Sequence, residues 1–401
     1  MEENLKRIYE NKLMVSFIML GFCKPIFLQY YSNLQMLDLF YDLYKILVIL
    51  IIFGVCIVSC GLRFRVIKAY SYILLLGLWQ LGVTIFFGGA IERAFIDCIT
   101  IFSIFVFITF GLKYSSGLFI NQIKKIILFL LFLQLMSEIT FPNGIPADLY
   151  AQNSANRLFF LTLDNGIVGI NILGVTLIHL NKLINGCDIQ KYSILDLSIC
   201  LLTSLFSGST TAIVCVLFMI MIPKWLELMN NSVFDKPTFW IICYSILFIF
   251  IILGGENSML SILIGKVTGK KGFTGRTFLW SQAISYILKS PIIGYGRQIT
   301  NYIPAWGGFF SSHNVVLEAA LQGGVIEAYF WIMSIYWSAI RAKQVSSKYI
   351  SRILLSALFI ILISMMMEIS VFSIYLFVLL GFLYSSNHLE VRHEIFRSRK
   401  V

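Results

Sequence analysis

The chain has 401 residues, of which 58% are hydrophobic and only 13% are charged, and its mean hydropathy is +0.85. A soluble domain carries about 25% charged residues, so this composition excludes a soluble protein, a disordered chain and a collagen-like chain. The net charge of +11 would suggest nucleic acid in a soluble protein. In a membrane protein with short charged loops it favours anionic lipid headgroups as partners and no nucleic acid. We therefore expect an all-α polytopic membrane protein.

A membrane-spanning helix needs about 20 mostly apolar residues, and the sequence contains about twelve such segments. They cover approximately 13–31, 39–60, 66–88, 94–112, 123–141, 158–181, 191–206, 209–225, 238–254, 314–340, 352–369 and 371–385. The pair 191–206 and 209–225 is short, so it is either a hairpin broken at 207–209 or one irregular span. No cleavable signal peptide is evident, and the first apolar stretch is typical of a retained span.

The distribution of Lys and Arg predicts the orientation of these segments. With the N-terminus inside, most basic residues fall in inner segments, and the short outer loops are nearly free of them. We expect nine transmembrane helices in 1–254, a long extracytoplasmic loop at 255–313, three further transmembrane helices in 314–385, and a basic cytosolic tail at 386–401. A long ordered loop usually carries function.

The long loop contains an amphipathic helix at 278–289, FLWSQAISYILK. Its apolar residues fall on one helical stripe, with polar residues opposite, and Pro291 ends the helix. Such a helix lies flat at the membrane interface, or it packs on the helix bundle without any chemical role. The apolar stripe consists of Leu279, Trp280, Ala283, Ile284, Ile287 and Leu288.

Histidine is scarce, and only one histidine falls on the predicted outer face. The four are His179, His313, His388 and His393. A lone histidine is more often structural than catalytic, but His313 lies where the long loop meets a helix, and imidazole can accept a proton from a hydroxyl near neutral pH. Glu318 follows about one and a half helical turns later, which would place it near that ring.

Arg276 opens the amphipathic helix, and a guanidinium there suits a phosphate or pyrophosphate because its fork donates two hydrogen bonds. Alternatively, the Arg276 side chain simply reaches lipid headgroups, and the same alternative applies to Arg297. Ionisable residues inside the membrane are functional candidates by default. The clearest are Glu318, Glu327 and Glu368.

No sequence motif predicts a metal or a cofactor. The chain lacks GxxxxGK[ST], HExxH and the dinucleotide-binding glycine fingerprint, and no Asp-x-Asp pair lies on the outer face. The eight cysteines form no CxxC pair and occupy apolar spans or short loops, where they are expected to be small buried hydrophobes.

Three motifs in the long loop occur in a recognisable order. They are Gly275–Trp280 (G-R-x-x-x-W), Pro291–Gly296 (P-x-x-G-x-G) and His313–Glu318 (H-N-x-x-L-E), followed by Gly323-Gly324. This ordered set, in the longest outer loop of a protein with about twelve spans, resembles the O-antigen polymerase/ligase superfamily. It covers about 50 residues, and the remainder of the chain agrees only in topology and hydropathy.

The resemblance implies a glycosyltransferase in the bacterial cytoplasmic (inner) membrane with its active site on the outer face. It would join undecaprenyl-pyrophosphate-linked oligosaccharide repeat units into capsular, exo- or O-antigen polysaccharide, without nucleotide sugar, cofactor or metal, and with a chain-length regulator and a flippase as possible partners. A ligase of the same superfamily stays open, as does a transporter or flippase of lipid-linked oligosaccharide. A transporter is expected to show internal repeats or broken helices, and neither is evident in the sequence.

The resemblance also implies roles for residues of the long loop. Arg276 would contact the donor pyrophosphate, and His313 would be the general base for the acceptor hydroxyl. As a hypothesis of our own, Glu318 or the Asn314 side chain orients the His313 ring, and Trp280 supports the site.

One departure from the family pattern concerns the second phosphate contact. Many relatives carry Ser-Arg at the outer turn of the short hairpin, whereas this turn reads Ser207-Gly208-Ser209-Thr210-Thr211. Hydroxyls and backbone amides of the turn, Arg157, or Arg297 would have to substitute for the missing arginine.

Overall fold

The computed structural model describes residues 2–60, 68–147, 157–185, 189–229, 232–254, 276–298, 300–305, 308–345, 347–366 and 373–389. Gly275 with the first part of the predicted long loop, Glu368, and most of the predicted basic tail lie outside the described residues. The described helices are α1 (Glu2–Glu10), α2 (Lys12–Phe22), α3 (Gln35–Cys60), α4 (Lys68–Phe87), α5 (Ile91–Thr140), α6 (Ile167–Asn185), α7 (Ile189–Phe206), α8 (Thr210–Met229), α9 (Pro237–Gly254), α10 (Arg276–Lys289), α11 (Val315–Ala339), α12 (Lys348–Ser364) and α13 (Ile374–Tyr384).

The multi-pass helical architecture is confirmed, and each of the predicted membrane segments overlaps a described helix. Six stretches are long and apolar enough to cross a membrane, namely Lys12–Tyr30, Ser32–Ile57, Ala69–Phe87, Ile91–Thr140, Ile167–Asn185 and Val315–Gln344. Four shorter apolar helices accompany them within the described part of the chain. The count of twelve spans stays a prediction.

Helix α5 contains two of the predicted spans and reverses direction between them. The backbone of Ser115 leaves helical geometry (φ −157°, ψ 58°). In a straight helix Phe107 and Phe119 would lie about 18 Å apart along the axis, yet their ring centroids are 5.2 Å apart. The two limbs of α5 therefore form a hairpin, as two separate spans require.

Helix α6 begins nine residues later than the sequence predicts. The apolar run from 158 contains Asp164-Asn165-Gly166, whose residue types favour turns, and these residues form a short 3₁₀ turn. Leu158 pairs with Leu163 as an isolated antiparallel bridge ahead of it. The turn residues therefore outweigh the hydropathy at this end of the span.

The amphipathic helix α10 packs on the bundle. Leu279, Trp280 and Ala283 are buried in a cluster with Ile251 of α9 and Leu317 of α11. The outer part of the predicted stripe, Ile284 and Leu288, is exposed. Only half of the stripe is therefore needed for packing.

After α10 the chain folds back toward α11 through a turn and a small hairpin. Strands β1 (Ile303–Ala305) and β2 (Gly308–Phe310) pair antiparallel, with Ile303 opposite Phe310. Ile303 is buried in the same cluster as Trp280. The hairpin thus carries the chain across the α10 cluster to the start of α11.

Helix α11 is broken at Gly323-Gly324, although no broken helix is evident from the sequence. Gly324 adopts φ 69°, ψ −166°, a region that is essentially restricted to glycine. The sequence pattern misses the break because the segment is predominantly apolar on both sides of it, and the glycine pair is the local signal.

The turn at 291–296 fills the break in α11. The amides of Tyr295 and Gly296 donate to the carbonyls of Leu321 (2.9 Å) and Gln322 (2.8 Å), which lose their helical partners. The amide of Val325 in turn donates to the Pro291 carbonyl at 2.8 Å. Because unpaired backbone groups are costly in a membrane, the turn and the broken helix stabilise each other as one unit.

Candidate active site

Asn314 begins helix α11 and caps it. Its side-chain oxygen accepts hydrogen bonds from the amides of Val316 (3.0 Å) and Leu317 (3.2 Å), which is the favoured arrangement for an N-cap asparagine. Its side-chain nitrogen donates to the Met366 carbonyl at 3.4 Å. Asn314 therefore fixes the start of the helix against the end of α12.

Glu318 secures the turn that precedes this cap. Its Oε2 accepts from the main-chain amide of Ser312 at 2.9 Å and from the Ser312 hydroxyl at 2.8 Å, and Oε1 accepts from Gln322 at 3.2 Å. Glu318 is 2% exposed, so these bonds supply the polar contacts that a buried carboxylate needs.

His313 lies between the two fixed residues Ser312 and Asn314. Its φ of 49° makes it the one non-glycine residue with positive φ in the described part of the chain. Its Nδ1 is buried and has no hydrogen-bond partner among the described residues. The imidazole is thus held in a strained backbone position with a nitrogen lone pair or N–H available to a ligand.

The charge of Arg276 acts on the imidazole of His313. Burial, together with the charge of Arg276, lowers the pKa of His313 from its ordinary value of 6.5 to about 4. His313 is therefore neutral near pH 7. Arg276 is the first residue of α10, and the buried Trp280 of the next turn anchors that helix. The structure thus brings together the two loop residues that the sequence singles out.

Glu318 and Asn314, which were predicted to orient the His313 ring, make their hydrogen bonds to other groups. Glu318 bonds to Ser312 and Gln322, and Asn314 bonds to the backbone of α11 and α12. Both side chains fix the backbone on either side of His313, so their effect on the ring passes through the turn. Ser312, which links Glu318 to the turn, has no sequence signal beyond being a serine before an N-cap.

Arg297 directly follows the 291–296 turn and joins it to α4 and α5. Its guanidinium pairs with Asp97, its amide donates to the Thr84 hydroxyl at 2.9 Å, and its carbonyl accepts from Ala90 at 2.7 Å. Burial lowers the pKa of Arg297, and Glu318 is among the charges that act in the opposite direction. Arg297 therefore has a carboxylate partner within the protein.

Arg157 lies at the short hairpin turn that lacks the family's arginine. Its guanidinium donates to the Ser207 carbonyl and, at 2.9 Å, to the Pro142 carbonyl, and it lies 3.8 Å from Asp164. A Cβ added to Gly208 would be 2.7 Å from its Nη2. These contacts, within the described residues, do not include His313 or Arg276.

A second buried carboxylate lies near the break in α11. Glu327 is fully buried, and both its oxygens lack a hydrogen-bond partner among the described residues. Its charged neighbours are Glu318 and Arg297. The described residues contain no group of three or more His, Cys, Asp or Glu side chains that could hold a metal ion.

Comparison with known proteins connects this geometry to one family. Residues 197–332, which run from α7 to α11 and include Arg276, His313 and the break, match the family model described as O-antigen ligase. A search of curated proteins and a search of solved structures each gave no significant match. The resemblance of the loop motifs is thereby confirmed: residues 197–332, about a third of the chain, are similar to the O-antigen ligase family.

Proposed function

We propose that this protein is a polymerase that joins oligosaccharide repeat units carried on undecaprenyl pyrophosphate into capsular, exo- or O-antigen polysaccharide. Members of the superfamily are glycosyltransferase-like enzymes of the polymerase or ligase type. The proposal places the reaction at the outer face of the bacterial cytoplasmic membrane, because the Lys and Arg distribution puts the long loop outside. The observation that carries it is the buried Nδ1 of His313, which has no hydrogen-bond partner within the described part of the chain and is influenced by the charge of Arg276.

In the proposed step, the neutral imidazole of His313 takes the proton of an acceptor sugar hydroxyl. The hydroxyl oxygen then bonds to the anomeric carbon of the donor, and the bond from that carbon to the pyrophosphate oxygen breaks. The departing lipid pyrophosphate carries the electron pair, and the Arg276 guanidinium offsets its charge. A positioned base contributes about 10²–10⁴-fold to rate, and the membrane holds both lipid-linked substrates at one depth.

For the second phosphate contact we favour Arg157 over Arg297. The guanidinium of Arg157 lies against Ser207 and Gly208, at the hairpin turn where relatives carry an arginine. The guanidinium of Arg297 is paired with Asp97 of α5 and its backbone is bonded to α4, away from that hairpin turn, whereas the ion pair of Arg157 with Asp164 is the looser one, at 3.8 Å. Arg297 therefore fits a role in joining the loop to α4 and α5 better than a role in binding pyrophosphate.

A ligase is the second candidate, because the matching family model is described as O-antigen ligase. A ligase would use the same residues and move a finished glycan to a different acceptor. The transporter alternative gains less support from the break in α11. Transporters use broken helices to present free backbone groups to a substrate, whereas Tyr295 and Gly296 occupy the carbonyls freed here.

The purified protein in lipid vesicles, supplied with undecaprenyl-pyrophosphate-linked repeat units, a chelator and no nucleotide, tests the proposal. We expect a ladder of lipid-linked polymer from the wild-type protein and none from His313→Gln, since an amide cannot usefully accept the proton. Transfer only to an added foreign acceptor would identify a ligase. Elongation by His313→Gln at the wild-type rate would remove His313 as the base, and a strict need for divalent metal would reopen the acidic residues as ligands.

A further inference from the structure

Three buried oxygen atoms beside the break in α11 have no hydrogen-bond donor. They are Oε1 and Oε2 of Glu327 and Oε1 of Gln80 on α4, and no described residue donates to any of them. Both side chains are fully buried. A carboxylate or amide oxygen can only accept a hydrogen bond or bind a positive charge, so a group that satisfies these atoms must be a donor or a cation.

The three oxygens belong to one place in the fold, at the step from Gln322 to Gly323. The side-chain nitrogen of Gln80 donates to Oε1 of Gln322, and the indole nitrogen of Trp79 donates to the Gly323 carbonyl at 2.8 Å. A Cβ added to Gly323 would lie 3.0 Å from Cδ of Glu327. The carboxyl of Glu327 and the amide of Gln80 therefore approach the same two residues of the broken helix.

The carboxylate of Glu318 determines which atom of Gln80 is left without a partner. Gln322 donates its side-chain nitrogen to Glu318 at 3.2 Å, so its oxygen is the atom that receives the Gln80 nitrogen. Turning either amide over would place two acceptors against each other. The Gln80 oxygen is therefore the unpaired end of a chain of hydrogen bonds that begins where Glu318 holds Ser312.

The charge of Glu327 is not neutralised by the charged groups around it in the described part of the chain. Those that act on it are Glu318, on the same helix, and Arg297, and their opposite charges offset each other. Arg297 also pairs with Asp97. Tyr302 interacts with both glutamates, but a phenol carries no charge near neutral pH. One negative charge is thus left inside the membrane, where an uncompensated charge is costly.

We propose that Glu327, together with Gln80, binds one small monovalent cation at the break in α11, either a sodium ion or a proton. Such a cation supplies the single missing positive charge and satisfies the oxygens that the described donors leave free. Hard cations prefer carboxylate and amide oxygens, and sodium ions and protons bind beside broken helices in other membrane proteins. Because the two side chains belong to α4 and α11, the bound cation would join these helices next to the 291–296 turn.

Thermal unfolding of the purified full-length protein in detergent tests for sodium, with sodium chloride or choline chloride at the same ionic strength. A bound sodium ion should raise the unfolding temperature of the wild-type protein by about 2–4 °C. Glu327→Gln removes the charge and keeps the shape, so it should unfold at the same temperature in both salts. Glu138→Gln is the matched control, because Glu138 is also buried with an unpartnered Oε2 among the described residues, and it should keep the wild-type response.

Infrared spectra in the same two salts at pH 7 distinguish the two cations. A proton on Glu327 should give a carbonyl band of a carboxylic acid in both salts, and this band should be missing from Glu327→Gln and retained in Glu138→Gln. A sodium ion should remove that band, or leave none, when sodium is present. The wild-type protein with neither a sodium response nor such a band would overturn the proposal, as would a response and a band that Glu327→Gln retains.

If Glu327→Gln does not accumulate, Gln80→Met provides the comparison. Methionine has a similar length but lacks the amide oxygen, so it should weaken the sodium response or shift the carboxylic acid band. An unchanged response and an unchanged band in Gln80→Met would overturn the shared site. No substrate is present in these measurements, so their outcome is independent of whether the protein elongates glycan in the vesicle assay.

Discussion

The carboxylate of Glu318 holds the main-chain amide and the hydroxyl of Ser312, six residues earlier in the chain, at 2.9 and 2.8 Å. This pair closes a loop around His313, which lies between Ser312 and the helix cap at Asn314. The direction of the imidazole is therefore set by a backbone turn, and that turn depends on one buried carboxylate.

Glu318→Gln should lower the rate without abolishing it. The amide keeps one oxygen that can accept from Ser312 but loses the charge that strengthens both bonds, and a hydrogen bond to a charged group is worth about 1.5–3 kcal/mol. We expect roughly 10–100-fold slower elongation, with a smaller loss than in His313→Gln. Initial rates on lipid-linked repeat units measure both variants, and equal losses in the two would assign Glu318 a direct role in the chemistry.

His313→Gly and His313→Ala should separate strain from catalysis. Glycine adopts positive φ without penalty, whereas alanine keeps the strain of φ 49°. We expect both variants to be inactive and the glycine variant to be more stable than the alanine variant by about 1 kcal/mol. Thermal unfolding in detergent provides the comparison, and a less stable glycine variant would contradict the strained geometry.

As the pH is lowered, activity should be lost only at a pH well below the ordinary pKa of histidine. Burial and Arg276 lower the pKa of His313 to about 4, so the neutral base persists as the pH falls through 6.5. Between pH 6.5 and 4 the His313 imidazole binds a proton more readily in the unfolded chain than in the folded protein. The contribution of His313 to the stability of the fold is therefore complete above pH 6.5 and is lost as the pH falls toward 4. The pH profile of kcat/KM, which reports the free enzyme, should fall near pH 4–5.

Removing the positive charge in Arg276→Gln should raise the pKa of His313, although burial, the larger cause, remains. With four histidines in the chain, imidazole shifts in histidine-labelled protein can be assigned by comparison with His313→Gln. Arg276→Lys keeps the charge but not the two-donor fork, so we expect it to preserve the low pKa of His313 and still fail in elongation. Full activity of Arg276→Lys would leave Arg276 with a generic charge role.

Gly324→Ala should disrupt the fold more than any ordinary helix substitution. A Cβ there would lie 2.0 Å from the Ile292 carbonyl oxygen, and the backbone region is closed to alanine. We expect a loss of at least about 3 kcal/mol or failure to accumulate. Gly82→Ala is the matched control, because a Cβ at that position in α4 meets no atom within 4 Å, and it should stabilise the protein by about 0.5–1 kcal/mol.

The proposed orientation predicts that the long loop and the C-terminal tail lie on opposite sides of the membrane. Reporter fusions at Lys270 and in the tail after Ser386 should give opposite signals, because the Lys and Arg distribution places the tail inside. The same signal from both fusions would reverse the map and take His313 away from the outer face.

Local patterns predicted the parts of the site that depend on neighbouring residues. Pro291 and the apolar stripe predicted a helix ending near Lys289, and Asn314 marks the start of α11. The ion pair between Arg297 and Asp97 joins residues two hundred positions apart, and no periodicity links them.

The contact of Arg157 with Ser207 likewise depends on how α5, α6 and the short hairpin pack. Backbone partners of this kind follow from the folded arrangement, so the sequence could offer Arg157 and Arg297 only as equal alternatives.

The exchange of bonds between the 291–296 turn and the break in α11 limits how such loops can be recombined between proteins. A chimera that imports a foreign segment over 276–298 but keeps α11 would leave the carbonyls of Leu321 and Gln322 without donors unless the new turn has the same shape. A graft that extends through Val325 would move both sides of the junction together. Substrate-changing hybrids of this protein should therefore take their crossover points before Arg276 and after Val325.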